Sequence, residues 1–106
     1  MKKIHLSLLA IVISIQLSAQ QWKLVWADEF NYNGLPDSSK WTAETGGRGW
    51  GNHELQYYTS GRIENARVKD GILKIEARKE KWENNNYTSA RLITKHKGDW
   101  QYGKIE

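Results

Sequence analysis

Period-two alternation dominates the chain beyond residue 20. Trp22, Leu24 and Trp26 fall on one side of a short run and Lys23 and Val25 on the other, which predicts a strand. Leu73, Ile75 and Ala77 alternate with Lys74, Glu76 and Arg78, the pattern of a half-buried strand. Asp70-Gly71 just before it is a hairpin-turn signal, joining it to a strand over 64–69. Residues 87–95 are rich in Thr, Tyr and Ile, and 101–106 start another extended run. Turn clusters lie between these segments at 31–34, 36–39, 46–51, 84–86 and 97–99. The single helical candidate is one turn over 37–41, capped by Asp37 or Ser38. Short strands punctuated by turns predict an all-β antiparallel sandwich or barrel. Trp22, Trp26 and Trp41 are its expected core indoles.

The first nineteen residues read differently. Lys2 and Lys3 precede a largely apolar run over 4–17, and Leu17-Ser18-Ala19 supplies the small residues of a cleavage site. This is the pattern of a secretory signal peptide, so 1–19 is expected to be removed and Gln20 to become the N-terminus of a secreted protein. The apolar run is short for a membrane span, and no membrane association is expected after cleavage. Loss of Lys2 and Lys3 lowers the formal charge from +4 to +2. The remaining basic residues are scattered, so no nucleic-acid footprint is expected. The chain has no cysteine, which excludes disulfides, thiol catalysis and cysteine-bound zinc. All six Trp and all five Tyr lie beyond residue 20. So many rings in a polar chain point to some that face a ligand.

Residues 49–59, Gly-Trp-Gly-Asn-His-Glu-Leu-Gln-Tyr-Tyr-Thr, hold the densest candidate chemistry. On a strand, Asn52, Glu54 and Gln56 would share a face. Amide and acid groups beside flat rings can grip hydroxyls and stack on sugar faces. Glycines at 49 and 51 let the backbone approach a ligand closely. A merely solvated polar face fits the same pattern, and the residue types alone leave both readings open.

The same stretch resembles a motif of glycoside hydrolase family 16, the laminarinase and lichenase group, through Trp50, Gly51, Asn52, Glu54, Gln56, Tyr58 and Thr59. Other blocks are similar to that family's and follow its order. They are Trp26-Ala27-Asp28-Glu29-Phe30, Val68 to Ile75 around Asp70-Gly71, Tyr87-Thr88-Ser89-Ala90-Arg91-Leu92, and Tyr102-Gly103-Lys104-Ile105-Glu106. The resemblance spans 22–106. It implies a jelly-roll (concanavalin A-like) β-sandwich of two curved antiparallel sheets, present here as an N-terminal portion, whose concave face holds a polysaccharide. It implies that Asn52, Glu54 and Arg91 line the glycone side of that cleft and that Trp50 is a stacking or wall residue. The implied activity is retaining hydrolysis of internal bonds in a β-1,3 or mixed β-1,3/1,4-glucan.

No catalytic residue of that family is in this chain. Retention needs two carboxyl groups about 5–5.5 Å apart. The family carries them in a Glu-x-Asp-x-x-Glu or Glu-x-Asp-x-Glu strand, and neither pattern occurs here. That strand is expected downstream of Glu106, and the chain as given is expected to be inactive. Glu76, Glu80 and Glu83 lack the central Asp and read as a solvated strand end. Catalysis requires no cofactor. The family often holds a structural calcium through an acid side chain, a Gly carbonyl and an Asp of its final strand; Glu29 and the Gly71 carbonyl match the first two, hard oxygens that suit the ion, and the third is expected outside this chain. His53-Glu54-Leu55-Gln56-Tyr57 is not a zinc motif, because Tyr57 stands where the second His belongs. Asn86-Tyr87-Thr88 fits the N-glycosylation pattern but is expected to go unused. The rival readings are a non-catalytic carbohydrate-binding β-sandwich module and a structural β-sandwich whose rings are simply core.

Overall fold

A computed structural model describes residues 21–106, so the expected signal peptide over 1–19 lies outside the described residues. Seven strands follow one another: β1 (Thr42–Glu44), β2 (Gln56–Tyr58), β3 (Ala66–Lys69), β4 (Ile72–Ile75), β5 (Arg78–Trp82), β6 (Asn85–Ser89) and β7 (Arg91–Ile93). A 3-10 turn at Gly49–Gly51 is the only helical element among the described residues. The all-β expectation therefore holds.

The β3–β4 hairpin forms where Asp70-Gly71 predicts it. Both turn residues take left-handed φ, 54° and 75°, which matches the twist of the flanking strands. Its register pairs Ala66 with Ile75 and Lys69 with Ile72. Gly34 brings the N-terminal segment against this hairpin, exchanging both backbone hydrogen bonds with Val68 at 2.9 and 2.7 Å. β5 and β6 form a second hairpin with an irregular register between Lys79 and Trp82. On its other side β6 pairs with β2, in parallel. This departs from the antiparallel expectation, and the reason is topological. The β3–β4 hairpin and β5 lie between β2 and β6, which gives the chain length to return in the same direction. β1 pairs antiparallel with β7, with Glu44 directly opposite Arg91.

Several alternating segments are not strands. Residues 21–33 are irregular, and Trp22 and Leu24 are 66% and 78% exposed. Trp22 is therefore not core. Alternation yields a strand only where a partner strand meets its backbone, and none of the described residues pairs with this segment. Trp26 does pack, edge to face on Trp41 with ring centroids 5.5 Å apart. Residues 101–106 are likewise irregular and exposed. The run over 87–95 breaks at the buried Ala90, so that β6 and β7 join different sheets. Ile75 is 49% exposed, and Ala77, beyond the end of β4, is exposed as well. The turn over 37–41 forms as expected: the Asp37 carbonyl accepts from the amides of Lys40 and Trp41, and its carboxylate accepts from the Ser39 amide at 2.8 Å.

Among the described residues, the buried side chains are half polar. The apolar ones are Ala66, Val68 and Ala90, and beside them Thr59, Asn65 and Thr88 are also buried. Asn65, with no exposure, uses its full capacity. Its Oδ1 accepts from Thr59 Oγ1 at 2.8 Å and Arg62 Nη1 at 2.9 Å. Its Nδ2 donates to the Glu76 carbonyl at 3.0 Å and Thr88 Oγ1 at 2.9 Å. This network ties the 59–65 loop to β5 and β6. It makes Thr88 of the glycosylation pattern a buried structural residue.

Candidate functional site

The loop between β1 and β2 carries most of the candidate residues. Asn85 fastens its glycine-rich part, donating from Nδ2 to the carbonyls of Gly47 and Leu55 at 3.0 and 3.1 Å. Gly47 is required there: a Cβ would fall on Asn85 Oδ1 and come within 2.8 Å of Tyr57 Cδ2. Beyond Gly47 the chain turns tightly. Trp50 and His53 take left-handed φ of 48° and 54°, which costs non-glycine residues energy. Three contacts hold Trp50 in that conformation. Its Nε1 donates to the Gly46 carbonyl at 3.0 Å. Its ring meets Tyr58 edge to face at 5.2 Å. The Arg91 guanidinium lies 4.8 Å from its ring centroid.

These left-handed positions correct one expectation. Asn52, Glu54 and Gln56 do not share a strand face, because β2 begins only at Gln56. Asn52 sits exposed in the turn, its amide N–H donating to the Gly49 carbonyl at 2.8 Å. Glu54 is half-buried, and its Oε2 accepts from Gln56 Nε2 at 2.6 Å and from the Tyr58 hydroxyl at 3.3 Å. Burial, then the Glu54 charge and hydrogen bond, push the Tyr58 phenol above its ordinary range, and the Arg91 charge opposes that rise. Trp50, Glu54 and Arg91 thus meet around Tyr58. Asn52 is attached to this group by the chain alone.

Two members of the cluster were not singled out from sequence. Tyr58 appears there only as part of a motif, although it is the ring to which Trp50 and Glu54 both attach. Glu44 has no local signal, since only the β1–β7 register brings it to Arg91. Arg91 Nε approaches Glu44 Oε2 to 2.7 Å. That oxygen is buried and lacks an aligned hydrogen bond, so the contact is one of charge. Trp50 also borders an open groove with Arg48, Tyr57, Glu83 and Asn84. The cluster offers a flat indole, a guanidinium and a carboxylate within reach of one another, a set able to bind hydroxyl groups.

Of the three acids read as a solvated strand end, Glu83 is exposed, whereas Glu76 and Glu80 are held in ion pairs. Glu76 pairs with Arg67 and Arg78 at 2.6 and 2.9 Å. Glu80 is bound by Arg62 and by the Thr88 hydroxyl, and these two hydrogen bonds hold its carboxyl down to about 2. A carboxyl so held is a structural ion partner. For calcium, Glu29 is exposed and Gly71 lies in the hairpin turn. No group of three or more His, Cys, Asp or Glu suited to a metal occurs among the described residues. Calcium takes about six to eight oxygens, so Glu29 and the Gly71 carbonyl are the right chemistry in too small a number. No described helix is long and apolar enough to cross a membrane.

No family model matches the chain. A β-glucanase of Rhodothermus marinus is 61% identical over 88 residues, which make up 83% of this chain and 31% of that protein. The solved laminarinase of Rhodothermus marinus is 64% identical and superimposes with a TM-score of 0.76, over 78% of this chain and 33% of that one. A solved family 16 non-specific endo-β-1,3(4)-glucanase, co-crystallised with 1,3-β-D-cellotriosyl-glucose, is 48% identical with a TM-score of 0.74, over 80% of this chain and 36% of that one. The chain spans about a third of the length of these relatives. Motif order, strand topology and these identities agree in supporting a fragment of a glycoside hydrolase family 16 protein.

Proposed function

We propose that this chain is part of an endo-β-glucanase that cleaves internal bonds of a β-1,3 or mixed β-1,3/1,4-glucan with retention, and that it contributes the glycone side of the cleft. The observation that carries this reading is the meeting of Trp50, Glu54 and Arg91 around Tyr58. An indole can stack on the apolar face of a glucose ring, and the guanidinium and carboxylate can share its hydroxyls. The endo-β-1,3(4)-glucanase and laminarinase names of the relatives support the glucan. Hydrolysis needs a carboxylate pair that this chain lacks, so binding is the activity to test. Titration with β-1,3-linked glucose oligosaccharides should perturb tryptophan emission, and Trp50→Phe should remove that change. Unchanged emission in the parent chain would refute the cleft.

Export belongs to the same proposal, supported by Lys2-Lys3, the apolar run and Leu17-Ser18-Ala19. N-terminal sequencing of the protein made in a secreting host should begin at Gln20.

A further inference from the structure

We propose that Glu44 is a positioning residue, which sets the Arg91 guanidinium on the Trp50 ring and leaves both Arg91 Nη groups for the glucan. The proposal rests on the cleft reading above. Three features support it. The β1–β7 register puts Glu44 directly across from Arg91, where opposite charges attract. The closest approach of Glu44 Oε2 is then to the Nε edge of the guanidinium, at 2.7 Å. Beyond Nε, the guanidinium lies against the indole at 4.8 Å. Among the described residues neither Nη finds a protein hydrogen-bond acceptor.

This arrangement is poorly suited to stability alone. Oε2 is buried without an aligned donor, which costs free energy. The Arg91 side chain is 46% exposed, and pairs in such settings stabilise little. What the contact does accomplish is orientation. A half-exposed arginine without it samples many rotamers, and a ligand has to order the side chain on binding. With Glu44 below and Trp50 alongside, the Nη donors are ordered before a hydroxyl arrives.

The test is calorimetric titration of the chain with a β-1,3-linked glucose tetrasaccharide. It compares the parent with Glu44→Ala, Glu44→Gln, Arg91→Ala and the Glu44→Ala/Arg91→Ala pair. Glu44→Ala should weaken binding about three- to tenfold, the cost of ordering one long side chain. The double variant should bind no more weakly than Arg91→Ala alone, because Glu44 acts only through Arg91. A fold defect would instead weaken the Arg91→Ala background further. Far-UV circular dichroism checks each variant, and Glu44→Gln, which keeps the shape and removes the charge, serves if Glu44→Ala does not fold. Parent-like affinity in the folded Glu44 variants, or independent losses that add, would overturn the proposal. Failure of the parent to bind would overturn the cleft reading as well, so the two failures are distinguishable.

Discussion

Replacing Asn65 with Leu should loosen the whole centre of this structure. Asn65 makes four side-chain hydrogen bonds from a position with no exposure. Each contributes about 0.5–1.5 kcal/mol net, so four come to about 4 kcal/mol. Leucine has similar volume, and the loss is therefore one of hydrogen bonding rather than of packing. Among the described residues only Ala66, Val68 and Ala90 are buried apolar side chains, so the polar network shares with the Arg62–Glu80 pair the work of holding the 59–65 loop to β5 and β6. The reporters are the amides of Thr59 and Glu76, which donate to the carbonyls of Ser89 and Asn65 at 3.0 and 2.9 Å. At about 1.4 kcal/mol per tenfold, their hydrogen-exchange protection should fall by about a thousandfold. Thr59→Val removes one of the four partners and should lower it by about tenfold. Protection retained within a factor of ten in Asn65→Leu would show that the polar network does not hold the sheet.

Three further outcomes are expected. Gly47→Ala should destabilise by about 1–3 kcal/mol through overpacking against Asn85 and Tyr57, and Gly51→Ala, which meets nothing within 4 Å, by about 1–2 kcal/mol for its left-handed backbone; urea titration followed by fluorescence measures both. Lowering the pH from 4.5 to 2 should release Arg62 from Glu80 and alter the near-ultraviolet dichroism of Trp82, over which Arg62 lies at 4.7 Å. The unfolded chain takes up this proton near the ordinary 4.5 and the folded one only near 2, so the contribution is full above 4.5 and lost as pH falls through 2. Glu80→Gln should abolish that acid step. Lys97→Met should free the Ser38 and Trp41 carbonyls, which Lys97 Nζ now reaches at 2.7 and 3.0 Å, and raise the exchange rate of the Trp41 amide.

Local chemistry determined what could be read from the sequence alone. Asp70-Gly71 specifies its hairpin because a two-residue turn with left-handed φ needs such residues. Asp37 announces its turn because the cap is made within five residues. The glycine-rich motif with Trp50, Glu54 and Gln56 marks the candidate site, and its order relative to the other blocks marks the family. Contacts distant in sequence were decided only by the tertiary structure. The same alternation makes a strand of β4 and an irregular segment at Trp22–Trp26, because pairing belongs to the partner backbone and not to the pattern. Left-handed Trp50 and His53 take Asn52 off the strand face, a consequence of fastening the loop through Asn85, Gly46 and Tyr58. Glu80 reads as a solvated acid until Arg62, Asn65 and Thr88 converge on it or its partners. Glu44 meets Arg91 only through strand register, which a linear pattern does not encode.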